Sequence, residues 1–204
     1  MKKNFIIYIF VIFLLTSFSI FAQREVDTYK LVYNEKTQLI HYDNEKKPFT
    51  GIAKIYYDNG EIYAKIPYKN GKLEGKGKEY YQKSGNLMRE VPYRNGSVEG
   101  VVKIYYDNGN LYAIQNIKNG NAEGETISYY KNGNINIKAN FVNNKLNGNI
   151  SVYNGDGTLS YIAPYKNGKP LTEKTINLMG VDINNIENKT FENTINEINN
   201  FEKW

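Results

Sequence analysis

Between residues 51 and 166, apolar and polar positions alternate in short runs that turn-forming residues interrupt at regular intervals. Five stretches give the pattern. Every second residue reads Ile62, Ala64, Ile66, Tyr68, then Leu87, Arg89, Val91, Tyr93, then Leu111, Ala113, Gln115, Ile117. The last two read Ile135, Ile137, Ala139, Phe141 and Leu159, Tyr161, Ala163, Tyr165. Only Arg89 and Gln115 interrupt this apolar and aromatic set, and the positions between include Lys65, Glu90, Asn116, Asn136 and Ser160. A period of two with one apolar side predicts a β-strand with one buried or half-buried face. Pro67, Pro92 and Pro164 recur near the strand ends, where a missing N–H loosens pairing.

A second run precedes each of these and closes on tyrosine: Tyr56-Tyr57, Tyr80-Tyr81, Tyr105-Tyr106, Tyr129-Tyr130, then Tyr153 alone. The two runs are joined by turns closing on Gly60, Gly85, Gly109, Gly133 and Gly157. Asp and Asn tolerate bent conformations, and glycine takes positive φ without penalty, so Asp58-Asn59-Gly60 suits a hairpin with a glycine bulge. A second set of turns, Lys69-Asn70-Gly71 and its equivalents, carries the chain to the next unit. The unit repeats on Gly51, Gly75, Gly100, Gly124 and Gly148, in steps of 24 or 25 residues. Units this small cannot bury a core alone and must stack. The predicted fold is all-β: an elongated, single-layer antiparallel meander of about five hairpins, roughly 48 Å long at ~4.8 Å per strand, with a short C-terminal helix.

The tyrosines recur in register and predict ladders across the sheet. A three-residue turn pairing Tyr57 with Glu61 would put Tyr56 on one face with Ile62 and Ala64. On that reading Tyr56, Tyr80, Tyr105, Tyr129 and Tyr153 pack in the core, while Tyr57, Tyr81, Tyr106 and Tyr130 line the other face. The second row is the candidate binding row, because aromatic anchors suit protein hot spots and sugar rings alike.

The ends differ from the middle. Residues 1–22 combine Lys2 and Lys3, an apolar stretch from Phe5 to Leu15, and small residues up to Ala22. That is the layout of a secretory signal peptide, the rival reading being an uncleaved anchor. Residues 23–48 read as a degraded first unit that caps the array, residues 49–171 as the array, and residues 172–204 as a tail. In the tail Phe191, Ile195, Ile198, Phe201 and Trp204 fall at helical spacing, predicting an amphipathic helix over about 188–203 that covers the last edge strand.

Charge and composition remove function classes. The net charge is +5, or +3 without residues 1–22, which gives no electrostatic case for nucleic acid. There is no cysteine, hence no disulfide framework, thiol nucleophile or lipidated cysteine. His41 is the only histidine, so neither a multi-histidine metal site nor a serine–histidine relay is expected. The Asn-Gly turns lack the Gly-Lys-Ser/Thr of a phosphate loop. No cofactor, metal site or catalytic residue is expected.

Units of the form GIAKIYYDNGEI and GVVKIYYDNGNL, followed by YKNGKLEG, resemble the bacterial variant of the MORN (membrane occupation and recognition nexus) repeat. The resemblance runs over residues 49–170 and departs at Asn154, in place of the second tyrosine, and at Asn143-Asn144, in place of Asn-Gly. It implies a twisted single-layer meander that binds proteins or membranes, and some members are labelled YwqK-like antitoxins. The expected function is an exported interaction module of the periplasm, cell surface or medium, binding a protein, an envelope glycan or a host surface without catalysis. The alternatives are a lipid-surface protein and an immunity-like partner of an exported toxin.

Overall fold

The computed structural model describes residues 23–171 and 176–177. The expected signal segment and C-terminal helix lie outside the described residues. Five antiparallel hairpins lie side by side: Gly51–Tyr56 with Ile62–Lys69, Gly75–Tyr80 with Leu87–Arg94, Gly100–Tyr105 with Leu111–Lys118, Asn121–Tyr129 with Ile135–Val142, and Gly148–Tyr153 with Leu159–Lys166. Their strands follow chain order in one open sheet, the meander expected from the period.

The two long edges carry different turns. At one, the Tyr57 N–H donates to the Glu61 carbonyl at 2.8 Å and the Gly60 N–H to the Tyr57 carbonyl at 2.9 Å. The same three-residue loop recurs after Tyr106, Tyr130 and Asn154, while the loop after Tyr81 is one residue longer. At the other edge the turns have two central residues, both left-handed: Asn70 at φ 50° and Gly71 at φ 78°. That is a type I′ turn, whose twist matches the flanking strands. Asn143 and Asn144, at φ 49° and 63°, close the same turn without glycine, because asparagine also tolerates this region. At the prolines the ladder opens as expected, and the carbonyls of Pro67, Pro92 and Pro164 accept from Glu74, Glu99 and Leu171. Asn116 and Asn140 occupy the same place in the third and fourth hairpins, and their side-chain amides donate across the gap to Glu123 and Asn147.

The faces differ from the expectation, for one reason. Tyr56 does pair with Ile62, but Ile55 pairs with Ala64, so Tyr63 is an extra residue in the return strand. This bulge recurs in all five hairpins, between Glu79 and Tyr80, Ile104 and Tyr105, Ser128 and Tyr129, and Val152 and Tyr153. An inserted residue turns the strand over. Ala64, Ile66 and Tyr68 therefore lie on the face opposite Ile62, together with Ile55. Tyr57 points to the buried face and Tyr56 to the open one, the reverse of the sequence assignment.

The buried face packs without a second layer because small residues oppose large ones. The marker glycines pair with large apolar or aromatic residues of the return strands: Gly51 with Tyr68, Gly75 with Tyr93, Gly100 with Ile117, Gly124 with Phe141 and Gly148 with Tyr165. A β-carbon on Gly77 would stand 2.7 Å from the Tyr93 ring, so that ring lies across the glycine. Val91, Val102, Ile117, Ile137, Phe141 and Ile150 form the middle of the core.

The N-terminal segment closes the first edge, but not as a repeat hairpin in register. Glu25–Asp27 runs parallel to Gly51–Tyr56, and Leu31–Asn34 pairs with Leu39–Tyr42 as a separate two-stranded sheet. Phe49, 1% exposed, anchors it. The Gly71 N–H donates to the Phe49 carbonyl at 2.7 Å, and the Ile40 N–H to the Gly71 carbonyl at 3.0 Å. At the far edge, Ile176–Asn177 pairs with Leu159–Lys166.

Candidate interaction surfaces

All four second tyrosines are built as clasps. The Tyr57 hydroxyl donates to the Tyr80 carbonyl at 2.6 Å, Tyr81 to Tyr105 at 2.7 Å, Tyr106 to Tyr129 at 2.7 Å and Tyr130 to Tyr153 at 2.8 Å. Each thus reaches one repeat ahead and ties its own turn to the next hairpin. The bulge residues lean on the same rings: Tyr63 meets Tyr57 edge-on at 5.1 Å, and Tyr112 meets Tyr106 at 5.0 Å. Burial, then the carboxylates of Glu79 and Glu61, push the Tyr57 hydroxyl above its ordinary value, so it stays a donor. The structure brings Tyr57, Tyr81, Tyr106 and Tyr130 into one row, half-buried, with their hydroxyls engaged.

The first tyrosines form a different object. Tyr56 pairs with Ile62, Tyr80 with Leu87, Tyr105 with Leu111, Tyr129 with Ile135 and Tyr153 with Leu159. Aromatic and aliphatic side chains therefore alternate across ten strands of the open face. They are half-buried, except that Tyr56 is 39% exposed. A groove of about 560 Å³ opens along this row, lined in part by Ile62, Lys65, Tyr80 and Lys83. The next row on the same face is charged: Lys54, Lys65, Lys78, Glu90 and Lys103 follow one another across paired strands. Lys65 bonds Glu25 at 2.9 Å and Lys76 bonds Glu90 at 3.0 Å.

One feature of the buried face escaped the sequence reading. Glu79 and Arg89 are cross-strand partners, 6% and 8% exposed. The guanidinium donates Nε to Oε2 at 2.9 Å and Nη2 to Oε1 at 2.6 Å, a two-pronged pair that satisfies both charges. Arg89 stands out as a break in the apolar set, and an acid at the paired outbound position was the signal that could have explained it. His41 lies in the N-terminal hairpin with Nδ1 3.3 Å from the Glu45 carbonyl. Among the described residues, no three His, Cys, Asp or Glu side chains are grouped to hold a metal ion.

The repeating unit is now defined: a marker glycine, two tyrosines on opposite faces, a glycine-closed turn and a bulged return strand. Four segments of the chain match the family model of the MORN repeat variant. They are residues 49–70, 73–95, 98–119 and 122–143, each covering one hairpin. Repeats of this kind bind proteins or membranes. The fifth hairpin shares the return-strand length and bulge of these four but lies outside the matched segments, with Asn154 where the clasping tyrosine stands elsewhere. Among solved structures, the chain is similar to one titled "Crystal structure of GtfA/B complex bound to UDP and GlcNAc", at 20% identity and a TM-score of 0.26. That match covers 66% of this chain and 26% of the other, so the chain spans about a quarter of its length. No curated protein matches the chain.

Proposed function

We propose that the array is an exported, non-catalytic scaffold that binds a protein partner at the cell envelope. The observation that carries this reading is the continuous ladder from Tyr56 to Leu159 on the open face. Tyrosine anchors with aliphatic neighbours supply large rigid contact area, the composition of protein hot spots. The basic, apolar and small residues of segment 1–22 support work outside the cytoplasm. In this reading Tyr57, Tyr81, Tyr106 and Tyr130 set the spacing of the repeats, and the other row makes the contact.

Site-specific photo-crosslinking tests it in the native cell. A crosslinker at position 105 is expected to capture a protein, and one at position 106 is not. Replacing Tyr80 and Tyr105 by Ser then weakens that complex by about 1–3 kcal/mol per anchor without changing the circular dichroism. Capture from position 106 alone would reverse the roles of the two rows, and capture from neither would count against a protein partner.

A further inference from the structure

We infer that the edge of the sheet carrying the type I′ turns is a track for an extended anionic polysaccharide. This surface is separate from the open-face ladder and does not depend on it. Every turn along it presents a cation: Lys69 and Lys72 at the first, Arg94, Lys118 and Lys145 at the middle three, Lys166 and Lys169 at the last, all exposed. Among the described residues none of them is held in an ion pair. The nearby acids are few and already engaged. Glu74, Glu99 and Glu123 each accept the N–H of the next turn's asparagine, Asn95, Asn119 and Asn143, at 2.8, 2.8 and 3.0 Å. Seven cations therefore stand against three carboxylates that serve as inter-repeat struts. At the opposite edge the balance inverts, with Asp58, Glu61, Asp107 and Asp156 against Lys83 and Lys131. A modest net charge of +5 thus conceals one basic and one acidic edge.

The spacing suits a linear polymer. Successive turns on one edge are two strands apart, about 10 Å, close to the length of a disaccharide. A sheet that twists by about 20–25° per strand rotates each turn by about 45° from the last, so the first and fifth turns face nearly opposite ways. A flat lipid surface can meet only a few of these turns together, whereas a flexible chain can wind along all of them. Single-stranded nucleic acid would need aromatic platforms for its bases, and the turns themselves carry none. They offer ammonium and guanidinium groups for carboxylates or sulfates, and exposed asparagines beside them for sugar hydroxyls. A cleft of about 400 Å³ between Leu39, Lys69, Lys72, Glu74 and Asn95 opens at the start of the track.

The test is equilibrium binding of the full chain to polygalacturonate and heparin fragments of rising length. Phosphatidylglycerol vesicles and a single-stranded oligonucleotide serve as rivals. Affinity for at least one polysaccharide is expected to rise with fragment length and to fall by about tenfold or more between about 50 and 200 mM salt. The triple change Arg94→Ser, Lys118→Ser and Lys145→Ser should lower it by about tenfold or more with an unchanged melting temperature. A control triple on the open face, Lys78→Ser, Lys103→Ser and Lys138→Ser, removes the same charge and should leave affinity within about twofold. No binding of either polysaccharide, no length dependence, equal loss from both triples, or tighter binding of the vesicles or the oligonucleotide would each overturn the proposal.

Discussion

Arg89 sits on a buried face where the other polar side chains, Gln115, Thr126 and Ser128, are uncharged, and its charge is tolerated only because Glu79 lies opposite it. Losing one partner leaves the other ionised in a dry site. Arg89→Ala is therefore expected to destabilise the protein by about 3–5 kcal/mol in chemical denaturation. The double change Glu79→Leu with Arg89→Met should be neutral or stabilising by about 1–4 kcal/mol. Single and double variants that lose stability equally would show that the ion pair is not what holds this position. At this scale the sequence was legible wherever one residue type answers one geometric demand, as at the glycines of the tight turns. It misled where the demand is met by position alone. The bulge residues are Tyr63, Met88, Tyr112, Asn136 and Ser160, which share no chemistry. Counting back from the turn paired Tyr56 with Ile62 correctly, yet nothing in those five side chains announces the extra residue that exchanges the two tyrosine rows.

The hairpins themselves follow from turn chemistry and alternation, and both were visible in the chain. The form of the N-terminal cap was not, because a parallel strand of three residues has too few positions to show a period. It depends on specific contacts. The Tyr56 hydroxyl bonds Asp27 at 2.7 Å and Lys54 stands 3.5 Å away, so hydroxyl first and ammonium second hold the Asp27 carboxyl below its ordinary 3.8. A lowered folded value means stability that is present above 3.8 and lost as pH falls through the lower value. Hydrogen exchange at Ile52, whose N–H meets the Arg24 carbonyl, should quicken as pH falls below about 3.8, after correction for intrinsic rates, and Asp27→Asn should abolish that dependence. The same closure separates two equivalent glycines. Gly71 and Gly120 share φ near 78° and 75°, but a β-carbon on Gly71 would stand 2.8 Å from Leu39 and 2.9 Å from the Ile40 carbonyl, while one on Gly120 would meet nothing. Gly120→Ala should cost about 1 kcal/mol of backbone strain and Gly71→Ala distinctly more, read from thermal melts. Equal losses would mean that the N-terminal hairpin is not seated there.

For the whole molecule, the period announced both the meander and the number of hairpins, since each unit packs only on its neighbours. The segregation of charge between the two edges is written in the same repeats, but it becomes apparent only when alternate turns are assigned to alternate edges. The tyrosine clasps have a further consequence, and it is mechanical. They all point forward along the chain, and the series ends at Asn154, whose amide bonds Thr158 at 3.0 Å within its own turn. The array is therefore a zipper with a pull tab at one end. Drawn out from its C-terminal side, the fifth hairpin should part first, yielding a single clasp and the strand interface behind it. Each further release then breaks one clasp and one interface and frees about 24 residues, roughly 80 Å of extended chain. In a single-molecule pulling experiment the expected record is a sawtooth of near-equal teeth rather than one cooperative rupture. Tyr106→Phe, which keeps the ring and removes the hydroxyl, should lower one tooth and leave the others standing.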